Sequence, residues 1–214
     1  MSTPESRAAS IVIVRHGETD WNIGRRIQGR TDIPLNERGR SQAGEIAELL
    51  HDAGPWRRVI ASPLSRAAET ARIISDRLEL PQAEIADDVI ERDFGSAEGM
   101  LVTDASARWP GLDVPDAEAL AALAERGASA FGRILREAPG SIVVAHGALI
   151  RSALTALSGT EAPRILNGEA WLISPAAARD APAAHEIPFP VDETRNGLRI
   201  AIRRLGTPAE QHAF

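Results

Sequence analysis

Short apolar runs alternate with longer stretches of helical periodicity along this chain. The clearest runs are rich in β-branched residues and predict buried strands at 11–15, 59–61 and 141–145. Three weaker runs predict further strands at 85–90, 169–174 and 198–204.

Apolar positions three and four residues apart predict helices between these strands. The predicted helices cover 38–52, 63–78, 116–137 and 148–158, with a short helix at 102–108. Ser62 and Pro63 suit the N-cap and first position of the second helix, and Gly159 suits the C-cap of the last. Because strands alternate with helices, the predicted fold class is α/β, a three-layer αβα sandwich with a mostly parallel central sheet.

The same pattern predicts one folded domain with short extensions. Residues 11–206 are expected to form a single α/β domain, in which about 92–116 make a short, irregular lid insertion. The polar residues 1–10 predict a flexible leader, and 207–214 predict a tail. The Ala- and Pro-rich segment 175–197 predicts a surface loop.

Composition and charge narrow the class of protein. The chain has 214 residues and a formal net charge of −6, which argues against a basic nucleic-acid or membrane surface. No apolar run is long enough to predict a membrane span. There is no cysteine, which fits a cytoplasmic protein. There is also no lysine, so all 24 basic residues are arginines, and every side-chain cation offered to an anionic ligand, histidine aside, is a guanidinium.

A histidine followed by glycine comes directly after two of the predicted strands. Arg-His-Gly occupies 15–17, and His-Gly occupies 146–147. In a parallel sheet both carboxyl ends lie at one edge, so His16 and His146 are expected to meet there. Each histidine taken alone fits a hydrogen-bonded structural residue, but the repeated context favours a shared functional site.

Arg66 lies in the first turns of the helix that follows the strand at 59–61. A helix N-terminus attracts anions, and a guanidinium there adds a bidentate fork for phosphate. The alternative is an ordinary helix-surface arginine in an ion pair with Glu69.

Five segments resemble, in order, the signature segments of a known family. They are RHGET with Trp21 and Asn22, the loop and helix start at 28–43, SPLSRAAETA at 62–71, ERDFG with Glu98 and Gly99, and VVAHG at 143–147. Together they resemble the histidine phosphatase superfamily, which includes the cofactor-dependent phosphoglycerate mutases. The resemblance covers about 11–150 and implies a phosphoglycerate mutase-like fold.

The resemblance also implies roles for individual residues. His16 would be the nucleophile that takes the phosphoryl group onto a ring nitrogen. Glu91 would protonate the leaving oxygen and then activate water, whereas the alternative is a surface carboxylate paired with Arg92. A protonated His146 would help the arginines to surround the phosphoryl oxygens. The residues expected to bind phosphate or substrate are Arg15, Asn22, Gln28, Gly29, Arg66, His146 and Gly147.

Only 92–145 separate Glu91 from His146, which is short for a mutase of this family. A smaller cover gives water better access to a phosphohistidine, so the leading hypothesis is a metal-independent phosphomonoester hydrolase acting on a small phosphorylated metabolite. The alternatives are a cofactor-dependent phosphoglycerate mutase and a non-catalytic domain that binds phosphorylated ligands. We expect no metal ion, no cofactor, and no nucleic-acid or membrane partner, and we leave a homodimer open.

Overall fold

The computed structural model describes residues 9–175 and 200–207. The described chain contains one six-stranded sheet, in the order β3-β2-β4-β1-β5-β6. Its strands are β1 (Ile11–Arg15), β2 (Arg58–Ala61), β3 (Glu84–Ile85), β4 (Ser141–Ala145), β5 (Ala170–Pro175) and β6 (Ile200–Gly206). Strand β1 pairs in parallel with β4, β4 with β2, and β2 with β3, whereas β5 is antiparallel to both of its neighbours.

The helices cover both faces of this sheet. They are α1 (Asp20–Ile23), α2 (Glu37–Ala53), α3 (Ser65–Arg77), α4 (Val102–Arg108), α5 (Leu120–Glu137) and α6 (Gly147–Ser158). Short 3-10 turns lie at Asp87–Val89, Gly95–Ala97 and Pro110–Leu112.

Alternation along β1 divides the core into two layers. Ile11 and Ile13 belong to the cluster that includes α5, α6 and Trp171. Val12 and Val14 belong to the other cluster, formed with α2 and α3. Because successive side chains of a strand point to opposite faces, this division confirms the predicted three-layer sandwich with a mostly parallel sheet.

Helix α2 begins beside the candidate site for a local reason. Asn36 is its N-cap, and the Asn36 side chain accepts a hydrogen bond from Gly39 N at 2.8 Å. The apolar positions of α2, including Ile46 and Leu50, are buried against the sheet. The cap and the buried apolar face together fix the position of the start of α2 relative to the sheet.

Three predicted boundaries are wrong. Helix α3 begins at Ser65 rather than Pro63, and its N-cap Leu64 makes no side-chain cap bond. The predicted strand at 85–90 ends after Ile85, because the chain then forms a 3-10 turn that buries Val89. The predicted helix 116–137 begins only at Leu120. The first error reflects a tertiary contact, since the hydroxyl of the expected cap, Ser62, contacts His146 instead.

The short helix at 102–108, the strand at 141–145 and the Gly159 C-cap are confirmed. The predicted leader is wrong at Ser10, which is buried and whose hydroxyl oxygen lies 2.7 Å from that of Ser174. Residues 1–8 of the predicted leader and residues 176–197 of the predicted loop lie outside the described residues. No helix within the described residues is long and apolar enough to cross a membrane.

Candidate active site

His16 follows β1 directly and is buried. Its Nδ1 lies 2.6 Å from the carbonyl oxygen of Gly17, which can only accept a hydrogen bond. The proton therefore lies on Nδ1, and Nε2 carries the free lone pair. Burial, followed by the charges of Arg66 and Arg15, lowers the pKa of His16 well below its usual value. The His16 ring is therefore neutral near pH 7.

His146 lies beside His16, as the parallel strands predict. Arg15 is in register with Ala145, and the centroids of the two histidine rings are 5.2 Å apart. The Nε2 of His146 lies 2.7 Å from the hydroxyl oxygen of Ser62, while Nδ1 is buried without a hydrogen-bond partner among the described residues. Burial and the charge of Arg66 lower the pKa of His146 well below its usual value. The His146 ring is therefore neutral near pH 7 in the free protein, and its protonation in the presence of a phosphoryl group stays a prediction.

Arg66 is only 1% exposed, although it lies in the first turn of α3. Its Nη2 donates to the Gly29 carbonyl at 2.7 Å, and its Nη1 donates to the Thr31 carbonyl at 3.0 Å. The alternative of a surface pair with Glu69 is wrong, because Glu69 pairs with Arg40. Two backbone carbonyls thus hold the guanidinium in one orientation.

Arg15 is held in a similar way at the end of β1. Its Nη1 donates to the Ile165 carbonyl at 2.8 Å, and burial lowers its pKa to about 10. A Cβ at Gly147 would lie 3.2 Å from the Nε of Arg15, so the glycine leaves room for the guanidinium.

Three buried side-chain nitrogens in this site lack hydrogen-bond partners among the described residues. They are Nε of Arg15, Nε of Arg66 and Nδ1 of His146. Both arginines act electrostatically on His16, and His146 touches it ring to ring. Buried polar groups are normally paired, so these three atoms are candidates for contact with an anionic ligand, His146 in a form that carries a proton on Nδ1.

Glu91 is also buried, and it is anchored at the start of α6. Its Oε1 accepts from the backbone N–H of Arg92 at 2.8 Å and of Leu149 at 3.0 Å, and its Oε2 accepts from Ala148 N at 3.2 Å. The alternative of a surface pair with the Arg92 side chain is wrong, because that guanidinium donates to the carbonyls of Leu112 and Glu118.

Asn22 presents its amide group beside this cluster. Its Oδ1 accepts from Thr19 N and from Asn167 Nδ2, each at 3.1 Å. Asn167 Nδ2 also lies 3.1 Å from the His16 carbonyl oxygen, so it ties α1 to the backbone of His16. We did not predict Asn167, because it follows Gly17 by 150 residues and lies in a segment without periodicity.

Gln28 and Gly29 belong to the loop whose backbone carbonyls accept hydrogen bonds from Arg66. Gly29 has a positive φ of 55°, and an added Cβ would overlap the Glu98 carboxylate. That carboxylate accepts from the backbone N–H of Arg30 and of Thr31, both at 2.8 Å. Gln28 is buried, and its Oε1 has no partner among the described residues.

The sequence of residues 11–171 matches the histidine phosphatase superfamily (branch 1). The chain belongs to this superfamily. It is 43% identical over 152 residues to an uncharacterised phosphatase, PhoE, of Bacillus subtilis, which covers 70% of this chain and 78% of that protein. It is 34% identical over 178 residues to a metal-independent phosphoserine phosphatase of Arabidopsis thaliana, covering 76% and 75% of the two chains.

A solved member of the superfamily has the same fold. The phosphoserine phosphatase of Entamoeba histolytica, in complex with 3-phosphoglyceric acid, superposes with a TM-score of 0.67 at 25% identity. The alignment covers 77% of this chain and 89% of that chain. In the described part of this chain, no group of three or more histidine, aspartate or glutamate side chains could hold a metal ion.

Proposed function

We propose that this member of the histidine phosphatase superfamily hydrolyses phosphate monoesters of small metabolites through a phosphohistidine on His16. The observation that carries the proposal is the set of three unpartnered, buried side-chain nitrogens on Arg15, Arg66 and His146 beside a neutral His16. A phosphoryl group has the charge and the acceptor oxygens to satisfy all three. Asn22 and the backbone N–H of Gly147 complete the proposed phosphate contacts.

In the first step, Nε2 of His16 attacks phosphorus while the bond to the leaving oxygen breaks. The arginines and His146 stabilise the charge spread over the three phosphoryl oxygens. Glu91 gives its proton to the leaving oxygen, so the alcohol departs neutral and the carboxylate remains. The products are the alcohol and a phosphohistidine.

In the second step, water replaces the alcohol. The Glu91 carboxylate takes one proton from the water, the new oxygen bonds to phosphorus, and the P–Nε2 bond breaks. Inorganic phosphate leaves, and Glu91 and His16 return to their starting states.

The orientation of Glu91 supports its part in this cycle. Oε1 accepts two backbone N–H bonds, whereas Oε2 accepts one bond at 3.2 Å. Oε2 is therefore the oxygen with room for a transferable proton. Anchored on the first turn of α6, this oxygen moves little relative to His146, one residue before the helix.

The relatives carry the names of both phosphatases and phosphoglycerate mutases, and PhoE, which is 43% identical, is named a phosphatase, whereas a mutase-like protein of Arabidopsis thaliana is 38% identical. Two relatives are called phosphatases, and one of them is named for phosphoserine. The solved enzyme with 3-phosphoglyceric acid is also named a phosphoserine phosphatase. We therefore place the substrate among small phosphorylated metabolites, with a phosphoglycerate mutase and a non-catalytic binding domain as the alternatives.

The test is release of inorganic phosphate from 4-nitrophenyl phosphate in EDTA. We expect steady release by the wild type and by His51→Ala, an exposed histidine far from the site in sequence, and none by His16→Ala. Phosphoglycerates are then assayed for transfer between hydroxyls. Transfer with no net phosphate release would favour the mutase, and phosphate binding without turnover would favour the non-catalytic domain.

A further inference from the structure

Arg126 of α5 reaches the backbone on the N-terminal side of Glu91. Its Nη1 donates to the carbonyls of Ile90 at 2.8 Å and Asp88 at 3.0 Å, and its Nη2 lies 3.5 Å from the carbonyl oxygen of Glu91. One guanidinium thus contacts three carbonyls within four residues. The proposed function assigns no role to this arginine.

Glu118 fixes Arg126 from the other side. Arg126 Nε lies 2.9 Å from Oε1 of Glu118, and Nη2 lies 2.9 Å from Oε2, which makes a bidentate pair. The side chains of Arg126 and Glu118 are 21% and 15% exposed. Burial opposes ionisation of Glu118, but the hydrogen bond and charge of Arg126 prevail and lower its pKa. Arg126 is therefore pre-oriented and paired.

Residues on the C-terminal side of Glu91 are tied to the same pair. The Nε of Arg92 donates to the Glu118 carbonyl at 2.8 Å, and Asp93 N donates to the Glu118 carboxylate at 3.4 Å. Arg126 thus holds the chain before Glu91, and the carboxylate and main-chain carbonyl of Glu118 hold it after Glu91, while neither side chain of the pair touches the Glu91 carboxyl.

We propose that the Arg126–Glu118 pair is a positioning device that aligns Glu91 for proton transfer to the leaving oxygen. This inference rests on the proposed function, because it assumes that Glu91 is the general acid. Small errors in the placement of a catalytic group cost large factors in rate. The backbone carbonyls that Arg126 holds set the path of the chain into Glu91, so loss of these bonds lets the carboxyl move.

A displaced acid has a specific kinetic signature. An alkyl phosphate needs its leaving oxygen protonated as the P–O bond breaks, whereas 4-nitrophenolate leaves readily without a proton. The ratio of kcat/KM values for the two esters therefore reports proton donation. A general loss of folding or of phosphate binding lowers both values together and leaves the ratio unchanged.

The experiment measures this ratio for the wild type, Arg126→Lys, Glu118→Gln and a control, Arg133→Lys. Arg133 lies two turns further along α5 and pairs with the Asp88 side chain at 2.7 Å, without contacting the carbonyls. The Glu91→Gln variant gives the ratio of kcat/KM values expected when the general acid is absent. We expect Arg126→Lys and Glu118→Gln to lower kcat/KM for glycerol phosphate about 10- to 100-fold and for 4-nitrophenyl phosphate less than about threefold. Arg133→Lys should match the wild type.

Two results would overturn the inference in distinguishable ways. If the wild type releases phosphate and the Arg126 and Glu118 variants lose equal factors on both esters, or none, the positioning role is wrong and the phosphatase function stands. If the wild type releases no phosphate from either ester, both proposals fail. Thermal melting of each variant shows whether it is folded, and the two substitutions are independent tests of the same pair.

Discussion

The Nδ1 atom of His16 lies 2.6 Å from the carbonyl oxygen of Gly17, its own neighbour in the chain. Because a carbonyl cannot donate, this contact holds the proton on Nδ1 and leaves Nε2 basic. The same contact fixes the ring plane relative to the end of β1. One local hydrogen bond therefore sets which nitrogen can attack phosphorus.

We predict that the covalent intermediate carries its phosphoryl group on Nε2 of His16. Rapid mixing with excess 4-nitrophenyl phosphate, followed by an alkaline quench, should trap up to one phosphoryl group per chain. Phosphorus–nitrogen NMR correlation of the denatured product then identifies the nitrogen. Attachment at Nδ1, or trapping undiminished in His16→Ala, would contradict the assignment.

The pair of buried histidines predicts that stability falls as the pH falls. Burial, followed by the charge of Arg66, lowers the pKa of both His16 and His146 well below about 6.5. Below that pH the unfolded chain binds protons that the folded chain does not, so the free energy of unfolding decreases. Each histidine adds a slope of at most about 1.4 kcal/mol per pH unit.

Urea denaturation at pH 7.5 and at pH 5.5 measures this slope. The contribution of the two neutral histidines to the free energy of unfolding should be fully present at pH 7.5 and partly lost at pH 5.5. His16→Asn should reduce the dependence by about one histidine's share. If the wild type had the same free energy of unfolding at the two pH values, the pKa of neither histidine would be lowered in the folded protein.

Close backbone contact predicts that Gly17→Ala is damaging. A Cβ at Gly17 would overlap the Gly39 carbonyl oxygen at the start of α2. The two segments must separate, and we expect a loss of about 1–3 kcal/mol in the free energy of unfolding, together with lower activity. In Gly132→Ala the nearest atom is the flexible Arg136 Nη1 at 3.4 Å, and helix propensity favours alanine by up to about 1 kcal/mol. Equal stability of the two variants, measured by urea denaturation, would disprove the contact.

Thr70 joins the nucleophile turn to α3. Its hydroxyl accepts from Gly17 N at 3.1 Å and donates to the Arg66 carbonyl at 2.7 Å. Thr70→Val removes both bonds with little change of shape, and the unpaired N–H should cost about 1–3 kcal/mol. Because this N–H adjoins His16, we expect phosphatase activity to fall about tenfold or more.

Thr155 offers a matched control for Thr70. Its hydroxyl donates to the Arg151 carbonyl at 2.8 Å and accepts from Ala162 N at 3.0 Å, the same pattern in α6. Thr155→Val should lower the melting temperature and leave kcat/KM within about twofold of the wild type. Similar losses of activity in both variants would mean that Thr70 acts only through stability.

The strands, the main helices and the meeting of His16 with His146 were predictable because each depends on local periodicity and on the direction of parallel strands. Five ordered segments then identified the superfamily. The surroundings of Glu91 were not predictable in the same way. Its bonds to Ala148 and Leu149 join residues 57 and 58 positions apart, respectively, which no local pattern encodes.

The boundary errors have a related cause. Ser62 is a good N-cap by residue type, yet its hydroxyl contacts His146, 84 residues away, and the helix starts later. Similarly, the Arg66 side chain is buried and donates to the carbonyls of a loop that is distant in sequence. Tertiary contacts at the site override local preference, as expected where function imposes its own geometry.

The central position of β1 and β4 in the sheet affects how unfolding disrupts this site. Each is hydrogen-bonded to a strand on both sides, and each ends immediately before one of the paired histidines. Their amide protons should exchange with solvent only when the whole domain opens, whereas edge strand β3 can fray alone. The histidine pair therefore persists through partial unfolding, and inactivation by heat should coincide with global melting.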